Sequence, residues 1–204
     1  MNIQQNKNLY TIWNAYWKGM DKTERLTVIG RLMFKAKVKA LIALIPSIKT
    51  QSMIEVGCGL GYTLKVFHEA GIDSCGIDIS SDAVTVCRNK GLQATVQKLE
   101  EVQDLYDLVS SDGMLEHFLN FEPYAQHMMR IARRYVLLIQ PNHGSFVGKT
   151  LVYGAEILRR NHIVYEYNYR ISDFIDVFNT QGFEIKQNIP VFFDVFRILL
   201  FEKK

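Results

Sequence analysis

Met53-Ile54-Glu55-Val56-Gly57-Cys58-Gly59-Leu60-Gly61 joins a short apolar run to three glycines at alternate positions, and a helix-like pattern from Tyr62 to Ala70 follows at once. An apolar run into glycines into a helix is how a parallel sheet brings bare backbone against a nucleotide-like ligand. Glycine lacks a Cβ, so the turn can take positive φ and lie close to what it binds. The helix start beyond it leaves amide N–H groups facing the turn. An ordinary strand-to-helix turn is the plain alternative.

The spacing narrows the ligand. A dinucleotide fingerprint has its third glycine three positions after the second, and here that position is Tyr62, while Gly61 follows Gly59 by two. Tyr62 would crowd a pyrophosphate, and Glu55 just before the turn makes phosphate a poor guest. A ligand with an amino group fits better. The dinucleotide rule also expects an acid about 20 residues on. There, Asp73-Ser74-Cys75-Gly76-Ile77-Asp78-Ile79-Ser80 reads as a second buried strand, with Ser80 placed to cap a helix running to about Asn89. A carboxylate at the end of the neighbouring strand can accept from both hydroxyls of an adenosine ribose. Asp78 could instead serve helix capping, although Ser80 and Asp82 suffice for that. A third stretch, Tyr106-Asp107-Leu108-Val109-Ser110-Ser111-Asp112-Gly113-Met114-Leu115-Glu116-His117-Phe118, begins as a strand and ends in a small polar cluster.

Together these stretches resemble the class I S-adenosylmethionine (SAM)-dependent methyltransferases, notably the quinone-methylating and small-molecule type. In that family an acid precedes a G-x-G-x-G turn, a second acid binds the SAM ribose, and an aromatic-Asp strand leads to Leu-Glu-His. The resemblance runs from about Gln51 to Gln140. It implies a Rossmann-like α/β fold: a seven-stranded, mostly parallel sheet, helices on both faces and an antiparallel last strand. It also implies SAM as cofactor, with contacts from Glu55, Gly57, Cys58, Gly59, Gly61, Asp78, Ile79, Leu99 and Ser111. The family often carries an acid for the adenine amino group after the third strand; this chain has Gln97-Lys98-Leu99-Glu100 there. Lys98 cannot accept a hydrogen bond, so either Gln97, Glu100 or a main-chain oxygen serves, or adenine is bound more weakly than is usual in the family.

At 204 residues the chain suits one α/β domain with a full core. With 48% hydrophobic residues, disorder is excluded. Three cysteines, Cys58, Cys75 and Cys87, form no C-x-x-C pair and read as reduced thiols of a cytoplasmic protein. No spacing supports a metal site, and no apolar run approaches the roughly 20 residues that span a bilayer. A net charge of +3 is too slight to require nucleic acid. Its distribution is uneven: Lys18, Lys22, Arg25, Arg31, Lys35, Lys37 and Lys39 stand against Asp21 and Glu24. That run reads as a solvated helix face, or as an attraction for an anionic substrate or a peripheral membrane contact. Oligomeric state is not readable.

Within one domain (1–204), four parts follow. A helical cap (1–46) holds an aromatic cluster, Tyr10, Trp13, Tyr16 and Trp17, and a helix with apolar steps from Leu26 to Ile45, ended by Pro46. The SAM-binding core (51–141) adds a strand at Ala94–Val96, a helix at Phe121–Arg133 and a strand at Tyr135–Ile139. The segment 142–170, with an apolar piece at Leu151–Leu158 and alternating Tyr165, Tyr167 and Tyr169, reads as a substrate lid or as a small extra strand. The last part (171–204) holds a helix capped by Ser172 and stopped by Gly182. Its two strands, Phe183–Ile189 and Val195–Glu202, are separated by Pro190.

The resemblance implies methyl transfer to a small-molecule or lipid-like acceptor; a non-catalytic module that holds SAM or a related nucleoside is the alternative. SAM supplies the activation, so a base matters only where the acceptor must lose a proton. His117, His143 and Glu116 are the candidates. His117 could equally be a helix-start histidine satisfied by backbone, His143 likewise, and Glu116 a residue tying its loop to the backbone.

Overall fold

The computed structural model describes residues 12–18, 28–146 and 166–204. The expected apolar piece at Leu151–Leu158, Tyr165 and Tyr10 lie outside these residues. A short helix, α1 (residues 12–17), is followed by α2 (Val28–Leu44) and a single 3-10 turn holding Pro46. Then β1 (Ser52–Val56), α3 (Tyr62–Glu69), β2 (Asp73–Asp78), α4 (Ser81–Asn89) and β3 (Gln93–Val96) alternate. The second half consists of β4 (Tyr106–Asp112), α5 (Glu122–Ile131), β5 (Ala132–Pro141), α6 (Ile171–Thr180), β6 (Phe183–Val191) and β7 (Phe196–Lys203).

The seven strands lie in the order β3-β2-β1-β4-β5-β7-β6. β7 runs antiparallel to both β5 and β6, while the other neighbouring pairs are parallel. The expected fold class is therefore the observed one. Side chains of each strand alternate between two cores. Leu108, Leu137, Ile198 and Leu200 pack with Leu41 and Leu44 of α2, Phe67 of α3 and Val84 of α4. Val109, Leu138, Leu199 and Phe201 pack with Met128 of α5 and with Phe174 and Phe178 of α6. Chain order reverses direction between β1 and β4, and such a switch point opens a crevice at the carboxyl ends of the strands.

Several boundaries differ from expectation for local reasons. β5 begins at Ala132, directly after α5, because Ala132 and Tyr135 enter the two cores while Arg133 and Arg134 reach solvent. β5 runs on to Pro141, its last paired residue, opposite Phe196. Pro190 lies inside β6, a placement that an edge strand tolerates because one row of its N–H groups has no neighbour. The turn to β7 is instead Phe192–Val195, with Phe192, Phe193 and Asp194 all at positive φ. Helix α6 starts after Arg170 rather than Ser172, and the Asp173 carboxylate accepts the Arg170 N–H at 2.8 Å. Ser80 caps α4 as expected, with its Oγ accepting from Ala83 at 3.3 Å.

Phe178 and Phe201 stack at 4.4 Å with both rings fully buried. Phe201→Ala is expected to destabilise the protein by about 3–5 kcal/mol in denaturant unfolding, whereas Phe193→Ala, on an exposed turn, should change stability by less than about 0.5 kcal/mol.

Candidate active site

The glycine turn owes its shape to three left-handed residues, Gly57 at φ 69°, Gly59 at 48° and Gly61 at 72°. Each bare Cα has a different reason. A Cβ on Gly59 would come within 2.9 Å of the Trp17 ring, which lies over the turn. A Cβ on Gly57 would meet the Met114 side chain at 3.1 Å, since the loop after β4 packs on the turn from the other side. A Cβ on Gly61 would sit 2.8 Å from both Cys87 and Leu92, so this glycine serves the packing of α3 against α4.

Two buried carboxylates hold the turn through its amides. Glu55 Oε2 accepts from Leu64 N at 2.7 Å, in the first turn of α3. Asp78 Oδ2 accepts from Gly59 N at 2.9 Å, and its Oδ1 accepts from Ser80 N at 2.8 Å. Burial raises the pKa of both, and the negative charge of Asp112 raises Glu55 further.

Around this turn opens a cleft of about 760 Å³ at the switch point. Glu55, Gly57, Cys58 and Gly59 line it, as do Asp78 and Ile79 from the end of β2. Leu99, His117 and Glu116 are also in its wall, with Gln97 and Glu100 beside Leu99. Gly61, Ser111 and His143 are not part of that wall. Ser111 is buried and its Oγ meets no hydrogen-bond partner among the described residues; the same is true of His143 Nε2.

The aromatic cluster covers one flank. Trp13, Tyr16 and Trp17 line the cleft, and Asn14 Oδ1 accepts from Ser80 Oγ at 2.7 Å, tying α1 to the end of β2. The Trp13 ring meets the His117 ring edge-on at 4.9 Å.

Lys37 and Asp112 are lining residues that the local pattern does not mark. Lys37 Nζ donates to both carboxylate oxygens of Asp112 at 2.8 Å, and Thr63 Oγ1 donates to Asp112 Oδ2 at 3.1 Å. The helical phase offered one signal. Lys37 falls one turn from Met33 and one turn from the buried Leu41, on the inward side of α2.

Glu116 is the most unusual lining group. Its side chain is buried, Oε1 lies against Gly113, and Oε2 meets no hydrogen-bond partner among the described residues. Loss of solvent pushes its pKa up to about 8, helped by Glu166 and Asp112 and opposed by Lys37. Its main-chain oxygen accepts from Tyr167 N at 2.8 Å, so the residue also anchors the chain that re-enters before α6.

A doubly wound sheet with this crevice defines a protein built to hold a nucleoside-like group against bare backbone and an acid. The family described as methyltransferase domain matches residues 29–188, and the chain belongs to it, as a class I SAM-dependent methyltransferase. Ajmaline N-methyltransferase of Rauvolfia serpentina is 30% identical over 110 residues, covering 48% of this chain and 38% of that protein. Ubiquinone biosynthesis O-methyltransferase of Bordetella avium (strain 197N) is 31% identical over 81 residues, 35% of this chain and 34% of that protein. The matches thus span between about a third and two fifths of these curated relatives. Magnesium protoporphyrin IX methyltransferase from Synechocystis PCC 6803, with bound SAH, shares the fold at a TM-score of 0.80 and 18% identity, covering 98% of this chain and 100% of that one.

Gly61→Ala is expected to lower stability by about 2–4 kcal/mol, combining a left-handed backbone with overpacking; thermal unfolding reads this. A second expectation concerns pH. Glu116 holds its proton more tightly folded than unfolded, so the folded state binds more protons between about pH 4.5 and about pH 8. Stability therefore falls as pH rises across that window, and Glu116→Gln should flatten the slope in urea titrations at successive pH values.

Proposed function

We propose that this chain binds SAM in the cleft and transfers its methyl group to a small-molecule or lipid-like acceptor. The observation that carries this reading is the pairing of a bare-backbone turn with the Asp78 carboxylate across one crevice. Each Asp78 oxygen accepts one amide N–H, which leaves a further lone pair for the two hydroxyls of a ribose. Ile79 and Leu99 offer apolar surface to an adenine ring, with Gln97 and Glu100 beside them to receive its amino group. Gly57, Cys58 and Gly59 present backbone to the methionine part, near the Glu55 carboxyl. These residues fit the family's cofactor.

When bound, SAM supplies a methyl group activated on a sulfonium. The chain's own contribution is alignment, exclusion of water and handling of a proton. Trp13, Tyr16 and Trp17 cover the glycine turn and keep water from the crevice. Glu116 Oε2, without a hydrogen-bond partner among the described residues and reluctant to ionise, holds a proton at neutral pH and can take one from an acceptor as pH approaches 8. His117, at the same wall, is positioned against Trp13 to contact the acceptor. Helices α1 and α2 would cap the acceptor side, while most of the expected lid, 142–170, lies outside the described residues.

Calorimetry with SAM and with S-adenosylhomocysteine tests the first step, and binding of neither at millimolar ligand defeats the reading. Asp78→Asn should weaken both ligands at least tenfold, since hydrogen bonds to a charged group contribute about 1.5–3 kcal/mol. Transfer of labelled methyl to a component of a cell extract separates an enzyme from a mere binder, which labels nothing. The transfer rate should climb as pH passes about 8, and Glu116→Gln should lose about a hundredfold in rate together with that dependence. A wild-type rate that is level across this range excludes Glu116 as the base.

A further inference from the structure

We propose that the α2 side of the cleft mouth is a docking face for an anionic lipid bilayer. Helix α2 descends from the carboxyl edge of the sheet toward the start of β1, because Lys37 in its middle reaches Asp112 at the end of β4 while its carboxyl end leads into Ser52. Val28 and Leu32 therefore stand at the cleft edge. Val28, Leu32, Lys35, Lys39 and Ile42 recur at four- and three-residue steps, and all five are exposed. They form one outward stripe in which aliphatic and basic residues are mixed. Arg31 lies beside Leu32 and is exposed too. No acidic residue occurs between Arg25 and Glu55.

Two aromatic side chains extend this face along the same edge. Phe193, 77% exposed, tops the β6–β7 turn, and Phe146, 83% exposed, follows the end of β5. Both belong to the cleft edge because Pro141 pairs with Phe196 there. Phe192, next to Phe193, packs against the core that α2 covers. The turn's acid, Asp194, is taken by Arg197, and Asp112 is taken by Lys37.

The composition selects the occupant. The centre of a protein interface is depleted of lysine and other charges, whereas this stripe places Lys35 and Lys39 between Leu32 and Ile42. Separate apolar knobs among lysine stems suit the headgroup boundary of a membrane, where the knobs enter the acyl region and the ammonium groups meet anionic lipid. The exposed stripe of α2, which carries basic residues and no acid, complements an anionic surface. Docked this way, the cleft mouth would open onto the bilayer. The inference does not depend on methyl transfer.

Sedimentation of the full chain with vesicles tests it, comparing phosphatidylcholine alone with phosphatidylcholine and phosphatidylglycerol in equal parts. Binding is expected on the mixed vesicles, weak on the neutral ones, and falling at high salt. Arg31→Glu combined with Lys35→Glu should reduce the partition coefficient at least about tenfold. Phe193→Asn, which keeps the left-handed backbone accessible, should reduce it about threefold or more without a change in the unfolding midpoint. That variant carries the test alone if the double reversal does not fold. Equal binding to both vesicle types, or no loss in the variants, overturns the proposal. A concentration-dependent dimer in light scattering that Leu32→Glu abolishes overturns it as well, and assigns the face to a second copy.

Discussion

Two carboxylates without solvent, Glu55 and Asp78, hold the glycine turn by its own amides, and the remaining site geometry depends on that arrangement. Among the described residues neither acid has an ion-pair partner. Burial disfavours their charge, and backbone N–H groups offset part of the cost. The turn in return has no freedom to drift, because Gly59 hangs from Asp78 and α3 starts on Glu55. A backbone fixed in this manner can be approached closely by a ligand without first having to order itself, which lowers the entropic cost of binding.

Charge is handled differently at the opposite wall. There Asp112 and Glu116 lie in one crevice with Glu55, and Lys37 enters it from α2. Lys37 meets Asp112 directly and moderates the pKa of Glu55 and Glu116 through space. The position of α2 is thus set by an ion pair at the cleft as well as by Leu41 and Leu44 in the core. The same helix carries a half-buried lysine for the site and exposed ones for the surface, a division produced by helical phase.

Much of this architecture was legible from residues close together in the chain. The glycine turn, the strand ending at Asp78 and the Ser80 cap depend on contacts within about one supersecondary unit, so local pattern and structure coincide. Long-range features were not visible. Lys37 and Asp112 are 75 positions apart, and nothing near either residue shows that they meet. Ser111 and Gly61 sit where a motif suggests ligand contact, yet strand alternation turns Ser111 into the core beside Leu138, and Gly61 faces Cys87. Pro190 misled for a related reason. Proline argues against a central strand, and only the strand order reveals that β6 is an edge.

Because β7 is inserted between β5 and β6, the sheet is joined out of order of synthesis. Until Phe196–Lys203 is docked, β5 lacks its outer partner and β6 has none. A chain in which β7 is not yet docked exposes two strand edges and the face of Phe178 that Phe201 covers. The rate at which the β6–β7 hairpin docks on β5, and any chaperone that shields open strand edges, therefore bear directly on how much of this protein reaches its native state.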